Sequence, residues 1–157
     1  MTDARFEDGA DAPLRLIVQE AADVTILSGL LQDAVLPISE MTWKPRQRRF
    51  ALLVNRFRWE DRPAAEAARR PYERVRALLV VEDVLSVRTS GIDRAEGDLV
   101  LSILALEFQP GADGMGRLTL VLAGDGAVAL EVEALEVRLE DVTRPYRALS
   151  GRVPDHG

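Results

Sequence analysis

Cysteine is missing from this 157-residue chain, which excludes a disulfide framework, a thiolate zinc site and a cysteine nucleophile. Histidine is nearly missing too. The single one, His156, is the penultimate residue, and an exposed tail cannot hold an imidazole within hydrogen-bond reach of a nucleophile. A Ser-His-Asp triad and a histidine metal site are therefore not expected. Lysine occurs once, as Lys44, against nineteen arginines, a usage that reads first as compositional habit. Continuous apolar runs fall far short of the roughly 18 residues a membrane helix needs. The acidic start MTDARFEDGADAP lacks the apolar core of a secretion signal. Cytoplasm is the expected compartment, with no membrane partner. No P-loop, dinucleotide fingerprint or G-x-S-x-G elbow occurs, and the glycines of Gly111–Gly116 suit a loop better than a phosphate cradle. No cofactor is implied.

The composition that remains, 47% hydrophobic and 29% charged, is that of one globular domain able to bury about 68–70% of its unfolded surface. Residues 1–12 read as a disordered tail, 13–143 as the domain and 144–157 as a mostly exposed tail. Leu14–Val18 is expected as a first strand. Val24, Ile26, Leu27, Leu30, Leu31 and Ala34 form a helical stripe over about 21–34, closed off by Pro37.

Strand signals dominate after that. Ile38–Lys44 and Arg49–Trp59 flank Pro45–Arg48 as a hairpin with a four-residue connection. Residues 62–71 read as a linker or a single helical turn. Further strands are expected at 74–81, 84–90, 99–108 and 117–123, and from 127 to 142 after the turn Gly124–Gly126. Residues 99–108 are apolar on both alternating faces, which suggests a central strand covered on both sides. The apolar parity slips by one residue at Glu133–Ala134, so a bulge or tight turn is required there. The resulting class is α+β: a mostly antiparallel, strongly curled sheet, as a partial barrel or two layers, with one main N-terminal helix.

Residues Trp43–Arg62, WKPRQRRFALLVNRFRWEDR, hold half of the eight aromatics and seven of the twenty basic residues. Subtracting Glu60 and Asp61 leaves +5 there, in a chain of net charge -6, so the other 137 residues carry -11. Trp43, Lys44, Arg46, Arg48, Arg49, Arg56, Arg58 and Trp59 are the candidate partner or anion surface. On a regular strand Arg56 and Arg58 share a face with Phe50, Leu52 and Val54, while Phe57 and Trp59 take the other. Phe57 is expected buried and Arg56 mostly exposed. A nucleic-acid platform wants aromatics and cations on one surface, and this alternation separates them. The competing reading makes the aromatics core and pairs the arginines with Glu60, Asp61 or the acidic C-terminal strands.

Carboxylates offer the other chemistry. Glu131 and Glu133 would stand roughly 6.6 Å apart on one strand face, inside the range used by inverting glycosidases. With Asp83 and Glu107 they are the candidates for a hydrolase or lyase. The alternation of Glu131, Glu133, Glu136, Arg138 and Glu140 also describes a solvated face that needs no chemistry.

The segments QDAVLPISEM, RRFALLVNRFRWE, VLSVRTSGIDR and LEVEALEVRLEDV give the chain a likeness to a known group. It resembles a family of small bacterial proteins known only as a domain of unknown function. The likeness covers about residues 14–142, with Asn55–Glu60 (NRFRWE) its most specific part. In that family a cysteine is common where this chain has Ala134, so the resemblance implies no shared thiol chemistry. It implies a soluble single-domain bacterial protein and brings no activity, cofactor or catalytic residue. The leading expectation is a non-catalytic binding or protein-interaction module, whose arginine-aromatic hairpin meets a partner or a second copy in a homodimer. The alternatives are the carboxylate enzyme and weak RNA or anion binding through residues 44–58.

Overall fold

The computed structural model describes residues 12–93, 97–148 and 153–154. The N-terminal tail up to residue 11 and His156 lie outside them. Eleven strands and two α-helices are found among the described residues. The strands are β1 (Arg15–Val18), β2 (Val35–Pro37), β3 (Met41–Lys44), β4 (Arg49–Phe57), β5 (Glu73–Val81), β6 (Val84–Ser90), β7 (Val100–Pro110), β8 (Gly116–Leu122), β9 (Gly126–Val132), β10 (Val137–Asp141) and β11 (Tyr146–Arg147). Helix α1 is Val24–Leu31 and α2 is Arg62–Ala68.

All the strand pairs are antiparallel. The path runs β1-β10-β5-β4-β2-β7-β8-β9-β6, with β3 beside β4 and β11 beside β5. This path is open, and among the described residues no pairing joins β1 to β6. The strongly curled sheet expected from the sequence is therefore not supported. Among the described residues, strand pairing between the two halves passes through β2 alone, three residues long. Pro37 ends it, having no N–H to carry the ladder further.

One core serves both halves, with Leu52, Leu79 and Leu139 from one and Ile103, Leu120 and Leu130 from the other. Helix α1 buries Val24, Leu27 and Leu31 at the three- and four-residue spacing read from the sequence. It packs chiefly on β7. Asp33, at φ 65°, turns the chain out of the helix, and its N–H donates to the carbonyl of Ile103 at 2.8 Å. The N–H of Leu106 donates to the hydroxyl of Ser28 at 2.9 Å.

Strand β7 is not covered on both sides. Val100 and Leu104 are exposed while Leu101, Ile103 and Leu106 are buried. The register shifts between Ile103 and Ala105, and that bulge moves the buried parity by one residue, producing the uninterrupted apolar run. The slip at Glu133–Ala134 has a larger meaning. Strand β9 ends at Val132 and β10 begins at Val137, and the chain crosses there from one half of the sheet to the other. Beyond residue 143, β11 pairs with β5 and Ala148 is buried.

Candidate functional site

The basic segment divides into a buried end and an exposed end. Along β4, Phe50, Leu52, Val54 and Arg56 face the core while Ala51, Leu53 and Asn55 are half-buried on the other side. The alternation is the one read from the sequence, but the exposure expected for Arg56 is wrong. Its face is the core face, and its side chain is 0% exposed. Arg58 is buried as well, at 4%.

Every N–H of the Arg56 guanidinium has an acceptor. Nε and Nη2 donate to the two oxygens of Asp141 at 3.1 and 3.0 Å. Nη1 and Nη2 reach the oxygens of Glu60 at 2.9 and 2.8 Å, and Nη1 also meets the Phe57 carbonyl at 3.4 Å. Such a planar, forked donor matches two carboxylates at once. Burial alone would lower the Arg56 pKa. The hydrogen bond and charge of Glu60, then those of Asp141, outweigh it and hold the pKa above its usual value. Asp141 in turn accepts the backbone N–H of Leu14 at 2.9 Å and donates its own to the Leu14 carbonyl. One carboxylate thus ties β4 to the start of β1 and the end of β10.

Arg58 pairs with Glu73, Glu60 and Asp61. Asp61 also takes a two-pronged contact from Arg70, at 2.6 and 2.7 Å. That hydrogen bond, against the cost of burial and helped by the charge of Arg58, holds Asp61 below the usual carboxylate range. Phe57, on the opposite face from Arg56, is buried against Trp59 and Tyr72 at ring separations of 4.7 and 5.7 Å. The Trp59 ring N–H donates to the carbonyl of Gln32, just past the end of α1, at 2.8 Å. Asn55–Glu60, the most specific part of the resemblance, is thus a clasp among β4, α1, β10 and β1. Of the residues singled out from sequence, Arg56 and Arg58 are buried in this clasp, and Trp59 joins it half-buried.

The other five stay together on the β3–β4 hairpin. Arg48, at φ 55°, closes the turn with its N–H on the Pro45 carbonyl, and its side chain pairs with Glu133. Arg49 meets both oxygens of Glu82 at 3.1 Å, and Glu82 also receives Arg138. Lys44 and Arg46 are exposed and have no ion-pair partner among the described residues. Trp43 is half-buried and, with Met41, Phe50, Val87 and Thr89, lines a groove of about 220 Å³.

The candidate carboxylates are not gathered into one site, although Asp83 and Glu133 are neighbours, the Glu133 N–H donating to the Asp83 carbonyl at 2.9 Å. Glu131 is held by Arg117 at 2.6 Å and Glu133 by Arg48. Glu107 stands two strands away from Glu131, across β8. Asp83 is exposed in the turn between β5 and β6, at φ 56°. No group of three or more His, Cys, Asp or Glu placed to hold a metal occurs among the described residues. No helix among them is long and apolar enough to cross a membrane.

Sequence reasoning passed over a second constellation on the outer face. Asn55 on β4 stands in register with Arg76 on β5 and with Val35 on β2. These three, with Leu53, Val100 and Tyr146, border a groove of about 370 Å³. The alternation of Arg74 and Arg76 with Val75 and Ala77 was visible in the sequence. That Arg76 has no carboxylate partner among the described residues was not.

No curated protein and no solved structure matches the chain. One family does, over residues 14–156, and its description is "Protein of unknown function (DUF2948)". The match spans nearly the whole described domain, and the chain belongs to that family.

Proposed function

We propose that this domain is a non-catalytic binding module that meets a protein partner through the β3–β4 hairpin. The observation that carries the reading is the state of β3. Among the described residues it pairs along one edge only, with β4, and at that place stand the Trp43 groove and two cations, Lys44 and Arg46, which have no carboxylate partner there. An unpaired strand edge offers main-chain hydrogen bonds to an extended segment, and neighbouring pockets select its side chains. The cations favour an acidic segment with an apolar anchor. The cysteine-free composition suits the bacterial cytoplasm as its setting.

A peptide display selection on the immobilised domain tests this reading. Enrichment of acidic peptides carrying one large apolar residue is expected, with binding lost in Lys44→Glu/Arg46→Glu. No enrichment, or binding indifferent to those substitutions, would end it. A labelled single-stranded RNA provides the polyanion arm: RNA binding that weakens steeply with salt would favour nucleic acid instead. Sedimentation at rising protein concentration reads self-association, in which case the partner is a second copy.

A further inference from the structure

We propose that the outer face of the sheet carries a binding site for a small organic carboxylate with an apolar body, seated over β2, β4, β5 and β7. The site stands apart from the hairpin reading. Trp43 lies opposite Phe50, on the core side of β4, whereas Leu53 and Asn55 face outward.

The apolar wall comes from residues that ordinary folding leaves uncovered. Pro37 and Val100 are partners across the β2–β7 ladder, and Val100 is 62% exposed. Val35 and Leu53 beside them are half-buried. A wall of this kind, continuous with a concavity of about 370 Å³, has the size and lining of a small-ligand groove.

The polar groups left to meet a ligand are donors. Arg76 is exposed, its backbone N–H resting on Thr143 Oγ1 at 3.1 Å. Its guanidinium has no hydrogen-bond or ion-pair partner among the described residues. That is unusual on this face, where Arg15 and Arg138 both contact Glu140. Arg74, two residues earlier on the same side of β5, is half-buried. It donates to the backbone and side-chain oxygens of Asn55, each at 3.2 Å. Because Asn55 Oδ1 accepts from Arg74, the amide is oriented with Nδ2 toward Tyr146, and it donates to the phenol oxygen. The phenol thereby accepts, leaving its own proton to donate into the groove it borders. Among the described lining residues there is no carboxylate. A guanidinium that can grip both oxygens of a carboxylate, a phenol proton and an apolar floor select an anion with a hydrocarbon body.

Titration of the full chain with hexanoate, followed by amide chemical shifts, tests the site. Saturable shifts are expected at Asn55, Arg76, Val100 and Tyr146. Acetate, which lacks the apolar body, and hexanamide, which lacks the charge, should each bind at least about tenfold more weakly. Arg76→Gln should weaken hexanoate at least about tenfold, the loss of one charge-assisted contact, with the rest of the spectrum unchanged. Tyr146→Phe should weaken it about threefold. A peptide ending in a free leucine carboxylate tests the other source of the same chemistry. If it binds more tightly than hexanoate, the site receives a chain terminus; if less tightly, a free acid. Silence from both, shifts scattered away from the groove, equal binding of hexanamide, or unchanged affinity in Arg76→Gln would overturn the proposal.

Discussion

Arg56 and Arg46 lie ten residues apart in one basic stretch, yet physically they have nothing in common. Arg56 is enclosed, with both bordering carboxylates supplied by the fold. Arg46 projects into solvent from a turn with no ion-pair partner among the described residues. A net charge counted along sequence is therefore a poor guide to the charge a protein shows. Of the seven basic residues in Trp43–Arg62, Arg56 and Arg58 are neutralised inside the fold, by Glu60 and Asp61 of the same stretch and by Glu73 and Asp141 from outside it. Burying an ion pair gains little over burying apolar groups of the same volume, but removing one partner strands the other. The clasp thus contributes geometry more than net energy, and it should fail abruptly when broken.

Substitutions can break or sharpen this contrast. The largest loss is expected for Arg56→Ala, about 3–5 kcal/mol, because it leaves the Asp141 carboxylate buried without its cation. Denaturant melts measure it, and a loss below about 1 kcal/mol would mean that the guanidinium is not enclosed as described.

Acid should act on the same end of the segment. Burial would raise the pKa of Glu60, but the hydrogen bond and charge of Arg56 outweigh it and hold it low, and Asp61 is also held low. The unfolded chain then takes up those protons at higher pH than the folded one. The stability these groups add is full above the ordinary values of 4.5 and 3.8 and is lost as pH falls through the lowered ones. The melting midpoint should drop progressively below about pH 4.5, and Asp61→Asn should flatten part of that slope. An identical pH profile in the variant would remove Asp61 from the account.

Smaller effects follow outward. Trp59→Phe keeps most of the ring packing and loses the hydrogen bond to Gln32, worth about 0.5–1.5 kcal/mol in a thermal melt. Lys44→Ala and Arg46→Ala should change stability by no more than about 0.5 kcal/mol each. A larger loss at either would show that the hairpin tip, too, is held by the fold.

Much of the fold was legible because strand and helix periods are local. The hairpin with its four-residue turn, α1, the break at Glu82–Asp83 and the slip at Glu133–Ala134 all follow from spacing in the sequence. What was not legible depends on partners distant in sequence. The parity of β4 is plain in the sequence, but which parity faces inward is decided by the elements packed on it. An arginine on that side is readable as core only once Asp141, 85 residues away, is known to meet it. The run at 99–108 misled for a related reason, since a bulge and two-sided burial leave the same apolar signature. Likewise the outer groove exists because Asn55, Arg76, Val100 and Tyr146 come from four strands.

The contact of Asp141 with both Leu14 and Arg56 has a kinetic consequence. The Leu14–Asp141 pair closes a loop of 127 residues, almost the whole described chain. Until that closure, Arg56 has to stay hydrated, so the end of β4 cannot settle while β10 is absent. Contacts this distant form late on the folding route. Arg56→Ala should accordingly hasten unfolding much more than it slows folding. A chain halted short of residue 141 would keep its guanidinium in water, and the enclosed charge makes the last strands a condition for completing the earlier ones.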